Sequence, residues 1–154
     1  MPRIDGAIEW LLDGDPAIRW QNLRDLAGAG EHGVMQERKR VARDGWGAQL
    51  LALQDPAGTW AGGQSSDGGL YSPKWTSTTY TMLLLRDFGL PPNDRQARKA
   101  CGLLLDRGLQ PDGGVNYGTW GTWSQRSETC ITGMVLSILR ALDHFRAVSA
   151  LCAC

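Results

Sequence analysis

The strongest pattern of apolar positions in the chain lies in residues 75–90, which read WTSTTYTMLLLRDFGL. Residues 82–85 are apolar on nearly every face of a helix, and a helix of that kind is normally buried. A run of serine and threonine side chains supplies capping groups at the start, and Gly89 followed by Pro91 and Pro92 ends the segment. We therefore predict one buried inner helix over this stretch.

A second stretch repeats the same elements at residues 127–142, which read SETCITGMVLSILRAL. Met134 lies 52 residues after Met82, and each methionine stands in the apolar middle of its segment. Repeats near 50 residues with two helices in each unit are typical of arrays of helical hairpins. No segment shows sustained alternation of apolar and polar residues, so the predicted fold class is all-α.

The rest of the chain contains further helices separated by Gly-rich or Pro-containing turns. They are predicted over residues 4–13, from Pro16 (capped by Asp15) to about Leu26, over 34–53 with a break near 45–47, and from Asn93 or Asp94 to Leu105. Three glycines in the turn at 27–33 match the dinucleotide-binding fingerprint formally, but helices flank the turn on both sides, so we interpret the match as chance. The domain organisation is then an N-terminal helical segment at 1–33, two hairpin repeats at 34–142 and an atypical tail at 143–154.

Two turns between the helices carry a recognisable motif. Gln54-x-x-x-Gly58-x-Trp60 resembles the QW motif of squalene–hopene cyclases, and Gln110-x-x-Gly113-Gly114 resembles a second copy in which Val115 replaces the tryptophan. The resemblance covers residues 41–142. It implies a partial α/α toroid of the kind shared by terpenoid cyclases and the β subunits of protein prenyltransferases. The motif residues themselves are expected to be structural, because glutamine satisfies helix ends, tryptophan packs on the turn and glycine supplies a positive φ.

The same resemblance implies a function, since the inner helices of such toroids surround an apolar pocket for isoprenoid chains. This chain lacks the DxDD acid motif of the class II cyclases. It also lacks a zinc constellation, because Cys130 and His144 would lie ~20 Å apart along a straight helix. No metal and no cofactor are therefore expected. A cyclase-like or prenyltransferase-like enzyme and a non-catalytic binding or scaffold module both remain open.

The candidate ligand pocket lies at the starts of the two inner helices, which the toroid analogy places at one end of the array. Aromatic faces there would cradle a prenyl chain or stabilise a carbocation, or would simply pack on the turns. The weak catalytic candidate is Glu128, either as a titratable acid in a buried site or as a helix-capping charge. The pocket candidates are Tyr71, Trp75, Thr76, Tyr80, Tyr117, Trp123, Glu128 and Cys130.

Composition excludes some classes of partner. Sixteen basic and sixteen acidic residues give a net charge of zero, which argues against nucleic acid or an anionic membrane as the main partner. No apolar run approaches the length of a membrane span or forms a signal peptide, and the four cysteines form no CxxC pair. The expected location is therefore the cytoplasm.

The chain also has fewer hairpins than a closed toroid requires. It is therefore expected to be an N-terminal piece of a longer cyclase-like protein, and its open array is also expected to pair with a second copy. Such self-association would use the last inner helix and would bury Ile131, Val135, Ile138 and Leu142.

Overall fold

A computed structural model describes residues 4–61, 65–118 and 126–142. These residues form α-helices and no named strand, apart from an isolated bridge between Leu109 and Val115. The prediction of an all-α fold is confirmed. The helices are α1 (Ile4–Leu12), α2 (Pro16–Asp25), α3 (Glu31–Arg40), α4 (Gly45–Ala52), α5 (Thr78–Phe88), α6 (Arg95–Gly108) and α7 (Thr129–Ala141).

Helix starts follow the capping residues that the sequence indicates. The Asp15 carboxylate accepts a hydrogen bond from Ala17 N at 2.9 Å, and Pro16 occupies the first position of α2. Asp94 caps α6 in the same way, through a bond of 2.9 Å from Ala97 N. A short side-chain acceptor at the N-cap bonds to an amide that has no partner inside the helix. For this reason the residues next to each start are enough to predict it.

The helix predicted over residues 34–53 is two helices, and its boundaries were wrong. α3 begins at Glu31, inside the predicted turn, and the break lies at residues 41–44 instead of 45–47. α4 starts where it does because Gly45 adopts φ +67° and Trp46 N donates to the Asp15 carboxylate at 2.7 Å. One aspartate thus accepts bonds at the starts of both α2 and α4.

The inner helices are also shorter than predicted. α5 covers Thr78–Phe88 instead of residues 75–90, and α7 covers Thr129–Ala141 instead of 127–142. Trp75 lies outside α5 because its φ is +75°, in the left-handed region, which cannot continue a right-handed helix. Gly89 ends α5 at φ +85°, as its position in the sequence indicates.

The chain forms two compact units. The first unit comprises Met1–Ala52 and Asp87–Pro91, and the second comprises Leu53–Arg86 and Pro92–Cys154. One boundary between the units therefore falls after Ala52.

The first unit is built around Trp20, which is only 7% exposed. Its Nε1 donates to Phe88 O at 2.7 Å, and Arg38 Nε donates to Gly89 O at 2.8 Å. The guanidinium groups of Arg24 and Arg38 lie 4.6 Å and 5.3 Å from the Trp20 ring centroid. Carbonyls at the end of a helix have no partner within it, so side chains from α2 and α3 supply the missing donors.

The second unit buries the apolar face of α7. Ile131, Val135, Ile138 and Leu142 are each 5% exposed or less, and α7 contacts α6. These are the residues that the sequence pattern assigned to a dimer interface. The structure does not support that assignment, because a face already buried within one chain is not available to a second copy.

We predict opposite effects for two glycine-to-alanine substitutions. Gly89→Ala should lower the free energy of unfolding. An alanine with this left-handed φ costs about 1–2 kcal/mol, and its methyl carbon would lie 2.4 Å from the Trp20 indole, a clash that lowers the stability further. In Gly102→Ala, within α6, the methyl group meets no atom within 4 Å, and helix propensity raises the free energy of unfolding by about 0.8–1 kcal/mol. Urea denaturation followed by circular dichroism measures both. A neutral Gly89→Ala would contradict the packing described for Trp20.

Candidate functional site

The first Gly-rich turn is held by its own side chains. Gly58 adopts φ +99°, and its N–H donates to Asp55 O at 2.9 Å. The Asp55 carboxylate accepts from Gly58 N and Thr59 N, both at 3.0 Å. Gln54 Nε2 donates to Gly58 O at 3.0 Å and to Gln96 O at 3.1 Å. The motif glutamine therefore bonds to backbone carbonyls of the scaffold and not to an open cavity.

The second turn has the same backbone pattern. Gly113 adopts φ +84°, and its N–H donates to Gln110 O at 2.9 Å, as Gly58 does to Asp55. The Gln110 side chain donates to Gly108 O at 3.0 Å and to Asn116 O at 3.1 Å. Judged by the backbone bond to the turn glycine, Gln110 in the second turn corresponds to Asp55 in the first. The two turns therefore align one residue away from the register that pairs Gln54 with Gln110.

Threonine hydroxyls attach each turn to the inner helix that follows it, an arrangement we call the threonine clasp. Trp60 N donates to Thr78 Oγ1 at 3.1 Å, and Val115 N donates to Thr132 Oγ1 at 2.9 Å. Trp60 and Val115, the two positions compared in the motif, are thus equivalent in the structure. In the first copy Thr79 adds a bond of 2.7 Å from its hydroxyl to a loop carbonyl, that of Leu70.

The loop before α5 is organised by the Asp67 carboxylate. It accepts hydrogen bonds from Tyr71 N at 2.9 Å, from Ser72 N at 2.8 Å and from Gly69 N at 3.0 Å, and the Ser65 hydroxyl donates to it as well. Burial alone would raise the pKa of Asp67, but these donors together lower it below 3.8. The charged carboxylate fixes the backbone at Tyr71.

Three aromatic rings come together beside this loop, and we call them the aromatic platform: Tyr71, Trp75 and Tyr80. The ring centroids of Tyr71 and Tyr80 are 5.4 Å apart, and those of Trp75 and Tyr80 are 5.1 Å apart. Both distances lie in the range of favourable tilted aromatic pairs. Trp75 is 78% exposed, so much of its indole surface faces solvent.

Two groups at the start of α7 act electrostatically on Tyr71. A side-chain hydrogen bond with Tyr80, then burial, then the electrostatic influence of Tyr80, Cys130 and Glu128 raise the pKa of Tyr71. Glu128 is the N-cap of α7: its Oε2 accepts from Cys130 Sγ at 2.7 Å and from Ile131 N at 3.0 Å. These bonds, that from Cys130 first, lower the pKa of Glu128 below 4.5. A buried general acid would have a raised pKa, so the geometry is that of a helix cap.

The other pocket candidates do not join the platform. Tyr117 is 6% exposed, and its hydroxyl donates to Leu104 O at 2.9 Å. Burial is the main reason that its pKa is raised. Thr76 is exposed on the surface. Trp123 lies outside the described residues, as do His144 and the tail.

Sequence reasoning missed a polar cleft in the second unit. It has a cavity volume of about 450 Å³, and Tyr117 and Gln110 line it with Asp67 and Arg107. The sequence indicated an apolar pocket at this end of the repeats, but the cleft is lined mainly by polar groups. The Asp-Gly-Gly triplet that occurs in both loops was the feature of the sequence that could have indicated this cleft.

Comparisons with protein-family models, with curated proteins and with solved structures find no match to this chain. In the described part of the chain, no three His, Cys, Asp or Glu side chains stand close enough together to hold a metal ion. No helix in that part is long and apolar enough to cross a membrane.

We predict that the threonine clasp contributes measurably to stability. Thr78→Val keeps the side-chain shape but removes the hydroxyl that joins Trp60 N to Gly69 O, and the free energy of unfolding should fall by about 1–3 kcal/mol. Thr76→Val is the matched control, because Thr76 is exposed. Chemical denaturation of both variants decides the question, and equal stabilities would show that the clasp does not hold the loop.

A second prediction concerns pH. Because the folded pKa of Asp67 lies below 3.8, its charge stabilises the fold above that pH and the contribution is lost as pH falls through the folded pKa. Asp67→Asn should therefore cost about 1–2 kcal/mol near pH 6 and progressively less below about pH 4. Asp106→Asn, on the exposed surface of α6, is the control. Denaturation at several pH values tests this, and a pH-independent difference would refute the role of the charge.

Proposed function

We propose that this chain is a non-catalytic helical-repeat module that binds an apolar, isoprenoid-type ligand on the aromatic platform. The observation that carries the proposal is Trp75, whose indole is 78% exposed while its backbone adopts φ +75°. The repeated turn and the threonine clasp support a construction from hairpin repeats of the toroid type.

The conformation of Trp75 is unfavourable in two respects. A non-glycine residue in the left-handed region costs of order 1–3 kcal/mol, and such strain clusters at ligand-binding positions. The exposed indole also forgoes the stabilisation that burial would provide. Its ring nevertheless packs in a defined geometry against Tyr80. A strained, exposed and oriented aromatic ring is suited to contact with a ligand.

The groups around the platform argue against catalysis there. The pKa of Glu128 is lowered, and the pKa of the Cys130 thiol is raised, mainly by its hydrogen bond to Glu128. A thiol with a raised pKa is a poorer source of the nucleophilic thiolate. The pKa of Tyr71 is raised as well. None of these three groups is tuned towards proton transfer at neutral pH, which favours binding over chemistry.

We predict that farnesol, a neutral isoprenoid alcohol, binds at Trp75. In spectra of ¹⁵N-labelled protein, the indole N–H of Trp75 should shift on titration, and Trp75→Ala should weaken binding about tenfold, as expected for losing one aromatic contact surface. Trp10→Ala is the matched control, since Trp10 is 73% exposed in the first unit. Unchanged affinity in Trp75→Ala would refute the proposal.

A further inference from the structure

We infer that the groove between α1 and α2 binds a small, neutral, mostly apolar molecule that donates one hydrogen bond, from an N–H or an O–H, to the side-chain carbonyl of Asn22. The groove belongs to the first unit and the aromatic platform to the second, so this inference does not rest on the proposed function.

The groove results from the way α1 packs. This short helix is rich in apolar residues, reads IDGAIEWLL and contacts α2. Its side chains at Ile8, Leu11 and Leu12 are nevertheless only partly buried, and Trp10 is 73% exposed. An open cavity of about 300 Å³ remains beside the two helices, a volume at the lower end of the range for small-molecule sites. The cavity is lined by Leu11, Ile18, Gln21, Asn22, Asp25 and Leu26.

Asn22 supplies the polar group that distinguishes this cavity from an ordinary apolar groove. Its side chain is directed towards α1, because Nδ2 donates to Ile8 O at 3.0 Å. A backbone carbonyl can only accept, so the nitrogen must face Ile8 and the oxygen is the atom left over. Asn22 is only 3% exposed, and no described residue donates a hydrogen bond to its Oδ1.

The unpaired carbonyl is costly for the fold. A buried acceptor without a donor loses its hydration and gains nothing in return. Among the residues of the described chain no donor relieves that cost, although Asn22 lines a cavity large enough for a small molecule. A ligand whose N–H or O–H reaches Oδ1 would remove the penalty, so the cavity favours a molecule with a donor over one of the same shape without it.

The other polar groups of the lining exclude a charged ligand. Gln21 Nε2 already donates to the carbonyls of Ala17 and Asp87, at 2.7 Å and 3.3 Å. The Asp25 carboxylate accepts from Arg24 Nε and Nη2, at 2.6 Å and 2.7 Å. The charged side chain in the lining is therefore already paired, and an ion entering the cavity would lose hydration without gaining a countercharge. The ligand is neutral for this reason.

Leu26 provides the way in. It follows the last residue of α2 and, at 59%, is the most exposed apolar side chain of the lining. Because Asn22 Oδ1 is itself buried, a ligand reaches it only when a side chain of the lining rotates outwards, and an exposed leucine at the end of a helix is the least restrained by packing. Leu26 then forms an apolar wall against the bound molecule.

Indole and 1-benzofuran test the inference, because these two bicyclic rings share one shape and differ in whether the five-membered ring carries an N–H donor or an oxygen. Titrations followed through the backbone amides of α2, in spectra of ¹⁵N-labelled protein, give both affinities. Indole should bind about tenfold more tightly than benzofuran, as expected when a ligand satisfies a buried acceptor. Asn22→Leu, which keeps a similar shape and removes the acceptor, should abolish this preference and leave benzofuran binding near its native affinity.

Leu26→Ala tests the location of the site. It shortens the apolar wall without altering Asn22, so it should weaken both ligands severalfold while indole remains preferred. Leu109→Ala is the matched control, since Leu109 is 46% exposed in the second unit, and both affinities should stay unchanged.

Three outcomes would overturn the inference. The first is equal affinity of the native chain for indole and benzofuran, which would mean that Asn22 Oδ1 does not meet the ligand. The second is a retained preference for indole in an Asn22→Leu variant with a native circular dichroism spectrum. The third is a titration in which the amides of α2 do not shift. If Asn22→Leu fails to fold, the comparison of the two ligands on the native chain and on Leu26→Ala decides the question.

Discussion

The second unit depends on satisfying the backbone of two Gly-rich loops that lie against buried helices. Thr78 and Thr79 are fully buried, and a buried amide or carbonyl without a partner is costly. A hydroxyl can accept and donate at once: Thr78 Oγ1 accepts from Trp60 N and donates to Gly69 O at 2.8 Å. Valine has the same shape and can do neither. Because the clasped loop leads directly into Tyr71, the position of the platform follows from these hydroxyls.

The first unit meets the same requirement with different groups. The carbonyls of Phe88 and Gly89 lie at the end of α5, where the backbone carries partial negative charge and has no internal donor. Trp20 supplies an indole N–H and Arg38 a charged guanidinium. Gly89 permits this approach, because a β-carbon there would collide with the indole. In both units, therefore, backbone N–H and C=O groups need hydrogen-bond partners. The side chains that supply these partners fix how the large apolar residues pack.

This distinction explains which features the sequence could predict. Caps formed by adjacent residues, such as Asp15 before Pro16, are local and were predicted correctly. The start of α4 was not, because its amide bonds to the same Asp15 from 31 residues away. Periodicity identified the apolar face of α7 but could not show that the chain itself covers it. Among the site candidates, the burial of Tyr117 depends on a similarly distant partner: its hydroxyl donates to the Leu104 carbonyl, which allows the ring to enter the core.

The electrostatics of the platform bear on what a ligand would encounter there. Glu128 stays charged well below neutral pH, while Cys130 and Tyr71 keep their protons above it. Catalytic acids and bases work best when their pKa lies near the operating pH, so that a proton can move in either direction at little cost. Here the neighbours of each group move its pKa away from neutral pH. The charge states of these three groups therefore do not change around neutral pH, and a constant field of that kind serves recognition of a ligand better than its transformation.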